Sequence, residues 1–185
     1  NQLVKTPRIP FLKGGKMKDV VILSGVRTAI GEYGGSLKSN APADLAAKVV
    51  HEALLRAQID PNEVDHLVFG NVIHGEARDM YLARVACING GLPQHTAALT
   101  VNRLCGSGLQ AIISASQSIL LNDTLAAVAG GAESMSRAGY LLPALRWGQR
   151  MNGGVTIDMM VGALTDPFDH VHMGITAENI AEKWC

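Results

Sequence analysis

Aromatic residues and cysteines are the side chains that this sequence uses least. Only 4% of the 185 residues are aromatic, and the three cysteines, Cys87, Cys105 and Cys185, form no C-x-x-C pair. An odd number of cysteines without paired spacing argues against a disulfide framework and favours a reducing compartment. We therefore expect a cytoplasmic protein whose core is built from aliphatic residues.

Net charge and long apolar runs are also lacking. The sequence has 16 basic and 16 acidic residues, so its formal charge is zero. A nucleic-acid groove normally needs a concentrated basic stripe. A membrane-spanning helix needs about 20 apolar residues, and runs such as residues 126–129 fall far short of that. We therefore expect neither nucleic acid nor a membrane as a partner.

Glycine and aliphatic residues are plentiful instead. The chain has 20 glycines and 48% hydrophobic residues, which is typical of closely packed helices and strands joined by tight turns. Their order, β-α-β-α-β-α-β, predicts an α/β fold with a mostly parallel sheet that is covered by helices on both faces. Apolar β-branched runs and helical apolar spacing predict the strands 20–23, 66–69, 97–101 and 125–129 and the helices 42–57, 82–88 and 108–121.

Three parts of the chain differ in pattern. Residues 1–16 are basic, irregular and interrupted by proline and glycine, so we interpret them as a leader or an added extension. Residues 17–137 carry the regular α/β pattern and form one expected domain. Residues 138–185 are irregular, with one helix expected near 157–164 and a last helix expected to begin with Thr176 as its N-cap. We interpret them as the start of a further domain.

The segment most indicative of chemistry is N-R-L-C-G-S-G at residues 102–108, which joins a predicted strand to a predicted helix. A helix N-terminus presents unpaired N–H groups and a partial positive charge. Both favour a thiolate, the nucleophilic form of cysteine, at Cys105, and its backbone N–H could donate to an oxyanion. The glycines leave space for a bulky thioester. These residues equally fit a small, buried and inert cysteine beside a glycine turn.

Residues 106–111 also match G-x-G-x-x-A, the pattern of a dinucleotide-binding turn. Glu133 follows the next strand, about where a ribose-binding acid is expected. However, that motif usually begins where the first strand of a domain ends, and here residues 102–105 intervene after the third strand. We rank nucleotide binding last, and we interpret Glu133 as a residue that braces a turn.

The cysteine segment closely resembles the acyl-accepting motif of thiolases. Three further segments resemble thiolase segments in the same order along the chain. They are S-G-V-R-T-A-I-G at 24–31, G-G-A-E-S-M-S at 130–136 and H-M-G-I-T-A-E-N at 172–179. The resemblance extends from Met17 to the end, and the segments at 79–81 and 146–148 are most similar to bacterial β-ketothiolases.

This resemblance implies a layered thiolase fold and a two-step acyl transfer. It implies that Cys105 attacks 3-ketoacyl-CoA, releases acetyl-CoA and then passes the acyl group to a second coenzyme A, or runs the reverse Claisen condensation. Covalent catalysis of this kind divides one difficult reaction into two easier steps. Acyl-CoA and coenzyme A are the implied substrates, with no permanently bound cofactor and no metal.

The same resemblance implies roles for residues in the later, irregular part. Leu164, His172 and Met173 match positions that line the pantetheine path, although the histidine also fits a surface loop and the two apolar residues a core. Residues 145–164 resemble the region that builds tetramers, so a homodimer or homotetramer is expected. Cys87 lies in a helical apolar pattern and is expected in the core.

The sequence departs from the thiolase pattern in what it lacks. Thiolases carry a Gly-His-Pro histidine and a second catalytic cysteine in a later half, and no histidine here is followed by proline. We therefore expect that this polypeptide alone lacks normal turnover. Two alternatives stay open: a related condensing enzyme of the ketoacyl synthase type, whose cysteine context differs, and a non-catalytic thiolase-like module.

Overall fold

The structure, a computed structural model, describes residues 19–184. The expected leader at 1–16 and Cys185 lie outside the described residues. The strands are β1 (His66–Gly70), β2 (Ala97–Val101), β3 (Ala127–Gly131), β4 (Tyr140–Leu141) and β5 (Ile157–Asp158), and the helices are α1 (Pro42–Ala57), α2 (Leu82–Asn89), α3 (Ser107–Leu120), α4 (Met159–Ala163) and α5 (Met173–Trp184). Short 3₁₀ turns occupy Pro61–Glu63, Ala77–Tyr81, Met135–Arg137 and Pro143–Trp147.

Three parallel strands form the central sheet in the order β2-β1-β3. Successive side chains of a strand point to opposite faces. Leu67 and Phe69 of β1 accordingly pack with α1 and α2, whereas Val68 packs with Ala111 and Ala115 of α3 on the other face. The predicted α/β class, with a parallel sheet and helices on both faces, is confirmed.

The first helix shows why the periodicity identifies these elements. Pro42 stands in its first turn, where a missing N–H costs nothing. Ala46, Val50 and Leu54 recur every four residues and form its buried stripe. The helix ends at Gln58, which adopts the left-handed conformation. Within residues 19–184 no helix has the length and hydropathy to cross a membrane.

The prediction of a strand at residues 20–23 is wrong. This segment has no strand hydrogen bonds in the structure, and Val21, Ile22 and Leu23 are exposed. It lies across a groove of about 530 Å³ from β3, and Ser24 Oγ ties it to α1 by donating to the carbonyl of Ala53 at 2.7 Å. An apolar run predicts strand propensity, but a strand forms only where a hydrogen-bonding partner is in register.

The later part begins with a short antiparallel ladder between β4 and β5. The predicted helix at 157–164 is shorter in the structure, because Asp158 ends β5 and caps α4 by accepting from the N–H groups of Met160 and Val161. Thr176 is not an N-cap, because α5 already begins at Met173. The side chain of His172 accepts from an N–H of that first turn, at Gly174, with a distance of 3.0 Å.

Candidate active site

Cys105 lies in the turn that joins the carboxyl end of β2 to the start of α3. The strand ends at Val101 and the helix begins at Ser107, with Gly106 as its N-cap residue. Cys105 is exposed. The structure therefore excludes the interpretation of Cys105 as a buried cysteine, and leaves its thiol open to a large substrate.

The residue before the cysteine has an unusual backbone conformation. Leu104 has φ = 49°, in the left-handed region that side chains other than glycine and asparagine rarely adopt. Holding such a residue there costs about 1–2 kcal/mol. Its N–H donates to Asn102 Oδ1 at 2.9 Å, and its carbonyl accepts from the N–H of Ser107, also at 2.9 Å. The turn is thus a strained conformation that hydrogen bonds hold in place.

Ser107 connects both sides of this turn through its hydroxyl. Its Oγ accepts from the N–H of Arg103 at 2.8 Å and donates to the carbonyl of Leu104 at 2.6 Å. Ser107 is buried, although its neighbours 102–106 are exposed. The hydroxyl is therefore an internal part of the turn and is screened from solvent.

The central strand of the sheet, β1, packs closely against the start of α3. A β-carbon at Gly70, the last residue of β1, would lie 2.7 Å from Ser107 Cβ and 2.8 Å from its carbonyl carbon. Such distances are far below van der Waals contact, so only glycine lets the strand and helix approach this closely. The same contact fixes the helix start, and with it the cysteine turn, relative to the sheet.

A basic side chain flanks the cysteine on the side of the strand. Arg103 donates to Oε1 of Gln110, in the first turns of α3, at 2.9 Å. Gln110 in turn donates to Oγ of Ser114 one turn further on, at 3.1 Å. These two hydrogen bonds hold the positive charge of Arg103 in a defined position beside the turn.

Glu133 joins the loop that follows β3 to the loop that follows β1. Its carboxylate accepts from the side-chain amide of Asn71 at 3.0 Å and from the N–H groups of Val72 and Ile73 at 2.8 and 3.2 Å. Burial raises the pKa of Glu133, which the two backbone donors partly offset. The interpretation of Glu133 as a turn-bracing residue is confirmed, and its carboxylate is engaged at the place where nucleotide binding would need it free.

Asp79 also braces the loop that follows β1. It is fully buried and accepts from the N–H groups of Gly75 and Glu76 at 2.9 and 3.1 Å. The structural roles of Asp79 and Asn71 are not predicted from the sequence. The spacing of two acidic residues, Glu76 and Asp79, three positions apart was the available signal, because it is typical of a capping box.

Ion pairs connect this loop to α1 and to the segment after β3. Arg78 pairs with Asp44 of α1 at 2.6 Å and also with Glu76, and Arg137 pairs with Glu76 at 2.6 Å. Hydrogen bonds from Arg78 lower the pKa of Asp44 and of Glu76. The network therefore joins three segments around the carboxyl ends of the parallel strands.

The three residues expected on the pantetheine path lie together in the later part of the chain. The N–H of Met173 donates to the carbonyl of Leu164 at 2.9 Å, and His172 forms a β-bridge with Thr165. His172 and Met173 flank the start of α5. Among residues 19–184, no hydrogen bond joins any of the three to Cys105, so the structure groups them with one another only.

The other described cysteine has the role that its pattern predicts. Cys87 is fully buried in the core between the sheet and the helices α1 and α2. Its Sγ lies 4.0 Å from the carbonyl oxygen of Thr96. Burial raises the pKa of this thiol, which makes it a poor nucleophile.

A three-stranded parallel sheet with helices on both faces, and an exposed cysteine at the turn into one of them, defines an α/β protein with a candidate nucleophile. The family model for the thiolase N-terminal domain matches residues 20–185. The chain belongs to the thiolase family.

Relatives and solved structures agree with this assignment. The chain is 64% identical over 167 residues to the β-ketothiolase BktB of Cupriavidus necator. This match covers 90% of this chain and 42% of that protein. The crystal structure of the Bacillus anthracis acetyl-CoA acetyltransferase is similar with a TM-score of 0.85 and 41% identity, over 91% of this chain and 42% of that one.

Human mitochondrial 3-ketoacyl-CoA thiolase in complex with CoA is similar with a TM-score of 0.79 and 38% identity, over 83% of this chain and 39% of that one. The chain thus spans about two fifths of the length of the relatives that it matches.

Proposed function

We propose that this chain supplies the nucleophile of a thiolase-type acyl-CoA C-acyltransferase, with Cys105 as the acyl acceptor. The observation that carries the proposal is the exposed Cys105 at the turn into α3, in a chain that belongs to the thiolase family. The hydrogen-bonded turn presents the sulfur outward, while the other described cysteine is buried in the core.

In the thiolysis direction, the sulfur of Cys105 attacks the keto carbon of a 3-ketoacyl-CoA. The bond between that carbon and the adjacent CH₂ breaks, and its electron pair takes a proton, so that acetyl-CoA leaves and an acyl-cysteine thioester forms. The thiol of a second coenzyme A then attacks this thioester, takes the acyl group and returns the proton to Cys105. The reverse sequence condenses two acyl-CoA molecules. Coenzyme A is thus a substrate of thiolysis and a product of the condensation, and neither direction needs a metal.

The later part of the chain is proposed to guide the coenzyme. In this division, residues 17–137 form the nucleophile domain, and residues 138–185 begin a loop domain in which Leu164, His172 and Met173 line the pantetheine path. Their mutual contacts and the exposure of His172 and Met173 support a surface that a flexible thiol arm could follow. Apolar lining with a few polar groups is typical of such sites.

The whole enzyme is proposed to need groups beyond these residues. Within residues 19–184, no side chain forms a hydrogen bond with the sulfur of Cys105, whereas an activated nucleophile usually has an adjacent base. We propose that the base comes from the part of a thiolase that this chain does not match, in a cytoplasmic homodimer or homotetramer. The 185-residue chain alone is then expected to lack steady-state turnover.

Denatured intact mass after incubation with acetoacetyl-CoA tests the proposal. We expect the chain to gain one acetyl group, slowly and without turnover, because the thiol is accessible but lacks its base. Cys87→Ala should gain the same mass, and Cys105→Ala should gain none. A gain that persists in Cys105→Ala would show that another group is acylated.

The absence of any gain in the chain would instead favour a non-catalytic thiolase-like module. A thiolysis assay on the same sample provides the second measurement. Full steady-state activity from the 185-residue chain would contradict the expectation that the base lies outside it.

A further inference from the structure

The left-handed backbone at Leu104 raises the question of what holds it there. Its side chain is exposed and therefore contributes little packing that would fix the conformation. A leucine that is free to relax would leave the left-handed region, because its Cβ approaches the carbonyl oxygen there. The turn thus needs a specific restraint close to Leu104.

The hydroxyl of Ser107 supplies restraints on both sides of Leu104. It accepts from the N–H of Arg103, the residue before, and donates to the carbonyl of Leu104 itself. A single oxygen thereby binds two peptide groups, the one that joins residues 102 and 103 and the one that joins Leu104 to Cys105. Cys105 is the next residue, so the direction of its Cα–Cβ bond depends on the second of these peptide groups.

The position of the hydroxyl is itself fixed. Ser107 is 5% exposed, and its Cβ and carbonyl carbon are so close to Gly70 that no β-carbon would fit between them. The backbone N–H of Ser107 also donates to Leu104, which holds the first residue of α3 against the turn. The sheet, the helix start and the strained turn are therefore connected through this one serine.

We propose that Ser107 is a positioning residue for Cys105: its hydroxyl holds Leu104 in the left-handed conformation and so presents the thiol to the substrate. The proposal rests on the proposed role of Cys105 as the acyl acceptor. Ser107 itself does not touch the substrate, and it acts only through the turn.

The rate at which iodoacetamide alkylates Cys105 in the folded chain tests this role. We expect Ser107→Ala to slow the alkylation of Cys105 about tenfold, because the strained turn relaxes and the thiol turns away. Ser118→Ala is the matched control. Ser118 Oγ, like that of Ser107, donates to a nearby backbone carbonyl, here that of Ser114 at 3.3 Å, but Ser118 lies far along α3 from the cysteine turn. This control should leave the rate unchanged.

A rescue experiment separates positioning from a general loss of stability. Glycine adopts the left-handed conformation without steric cost, so adding Leu104→Gly to Ser107→Ala should restore the rate to within about twofold of the original. Slow alkylation of Cys87 in every variant would confirm that the core is intact. If Ser107→Ala has no effect in a folded chain, or if Leu104→Gly fails to rescue it, the proposal is wrong.

Acetyl transfer from acetoacetyl-CoA, measured on the same variants, distinguishes this proposal from the proposed function. If iodoacetamide shows the loss and the rescue but no variant is acetylated, the positioning role stands and the acyl-acceptor role fails. If the original chain is acetylated and Ser107→Ala is alkylated and acetylated at the same rate, the acyl-acceptor role stands and the positioning role fails.

Discussion

The two cysteines described by the structure carry the same functional group in opposite environments. Cys87 is 0% exposed in the core, where burial raises the pKa of its thiol, and Cys105 is exposed at a turn. Thiol reactivity depends on access and on the fraction present as thiolate. Residue environment, rather than residue type, therefore decides which cysteine can carry an acyl group.

This difference predicts selective alkylation in the folded chain. Iodoacetamide should modify Cys105 at least about a hundredfold faster than Cys87, because Cys87 becomes accessible only when the core opens. Peptide mapping after short exposure measures both rates, and the difference should vanish in concentrated urea. Equal rates under native conditions would contradict the described core.

Glu133 should contribute to stability through the loop that it braces. In Glu133→Gln, the amide NH₂ would replace one of the two oxygens that accept from Asn71, Val72 and Ile73. Loss of a hydrogen bond to this partly exposed carboxylate is expected to lower the free energy of unfolding by about 1 kcal/mol. Urea denaturation measures this change.

Glu52→Gln is the control for that experiment, because Glu52 forms an exposed i,i+4 pair with Arg56 on α1. Its effect should be within about 0.5 kcal/mol. Equal effects of the two substitutions would contradict the bracing role of Glu133.

At the scale of secondary-structure elements, the contact between β1 and α3 determines where the cysteine turn lies. Gly70→Ala should lower the free energy of unfolding by about 2–3 kcal/mol, because the added carbon would overlap Ser107. Gly108→Ala is the matched control, since a β-carbon at Gly108 meets nothing within 4 Å and alanine favours a helix. If Gly70→Ala is as mild as the control, this contact does not set the position of α3.

The ion pairs of Arg78 should make the junction between α1 and the loop after β1 sensitive to acid. Hydrogen bonds from Arg78 lower the pKa of Asp44 and of Glu76 from ordinary values of 3.8 and 4.5. A carboxyl whose pKa is lower in the folded state adds stability above its ordinary pKa and loses it as the pH falls through the folded value.

The test is the difference in urea midpoint between the original chain and Arg78→Gln. Because these side chains are partly exposed, the difference should be small even near neutral pH. It should shrink as the pH falls below the ordinary pKa values and disappear once the pH is below the lowered pKa values of the folded state, where both carboxyls are protonated. A difference that stays constant from neutral to strongly acidic pH would show that charge pairing is not its source.

Local patterns were sufficient to predict most elements. The helices α1, α2 and α3 and the strands β1, β2 and β3 follow from apolar periodicity and from turn residues, because each element buries one stripe or face of its own sequence. Residues 20–23 carry the same signal but form no strand, since pairing depends on residues far away in the chain. The start of α5 was misplaced because His172, a residue without a strong capping preference, caps the first turn.

The candidate site also has a part that the sequence predicts and a part that it does not. Cys105 is found from its own segment, because glycines and a helix start stand beside it in the sequence. The restraints on it are not found, since Gly70 and Ser107 meet only when β1 packs against α3. Asn71 and Glu133 also form their hydrogen bond across a long separation, 62 positions in the chain. Contacts of this kind depend on the tertiary fold and leave no local pattern.

At the scale of the whole molecule, much apolar surface remains exposed on the described residues. Trp147 is 82% exposed and Phe168 86%, and Leu109 on α3 is 65% exposed. Large exposed apolar surface is typical of interaction sites. This surface supports the proposed homodimer or homotetramer, in which partner subunits would cover such faces.

The acyl-acceptor role of Cys105 is the central claim, and locating the acetyl group after incubation with acetoacetyl-CoA tests it most directly. Trypsin cleavage after Arg84, Arg103 and Arg137 places the two described cysteines in separate peptides, 85–103 and 104–137. We expect the acetyl group on the peptide 104–137, at Cys105, and its removal when coenzyme A is added. An acetyl group on the peptide 85–103, or none on either peptide, would contradict the account.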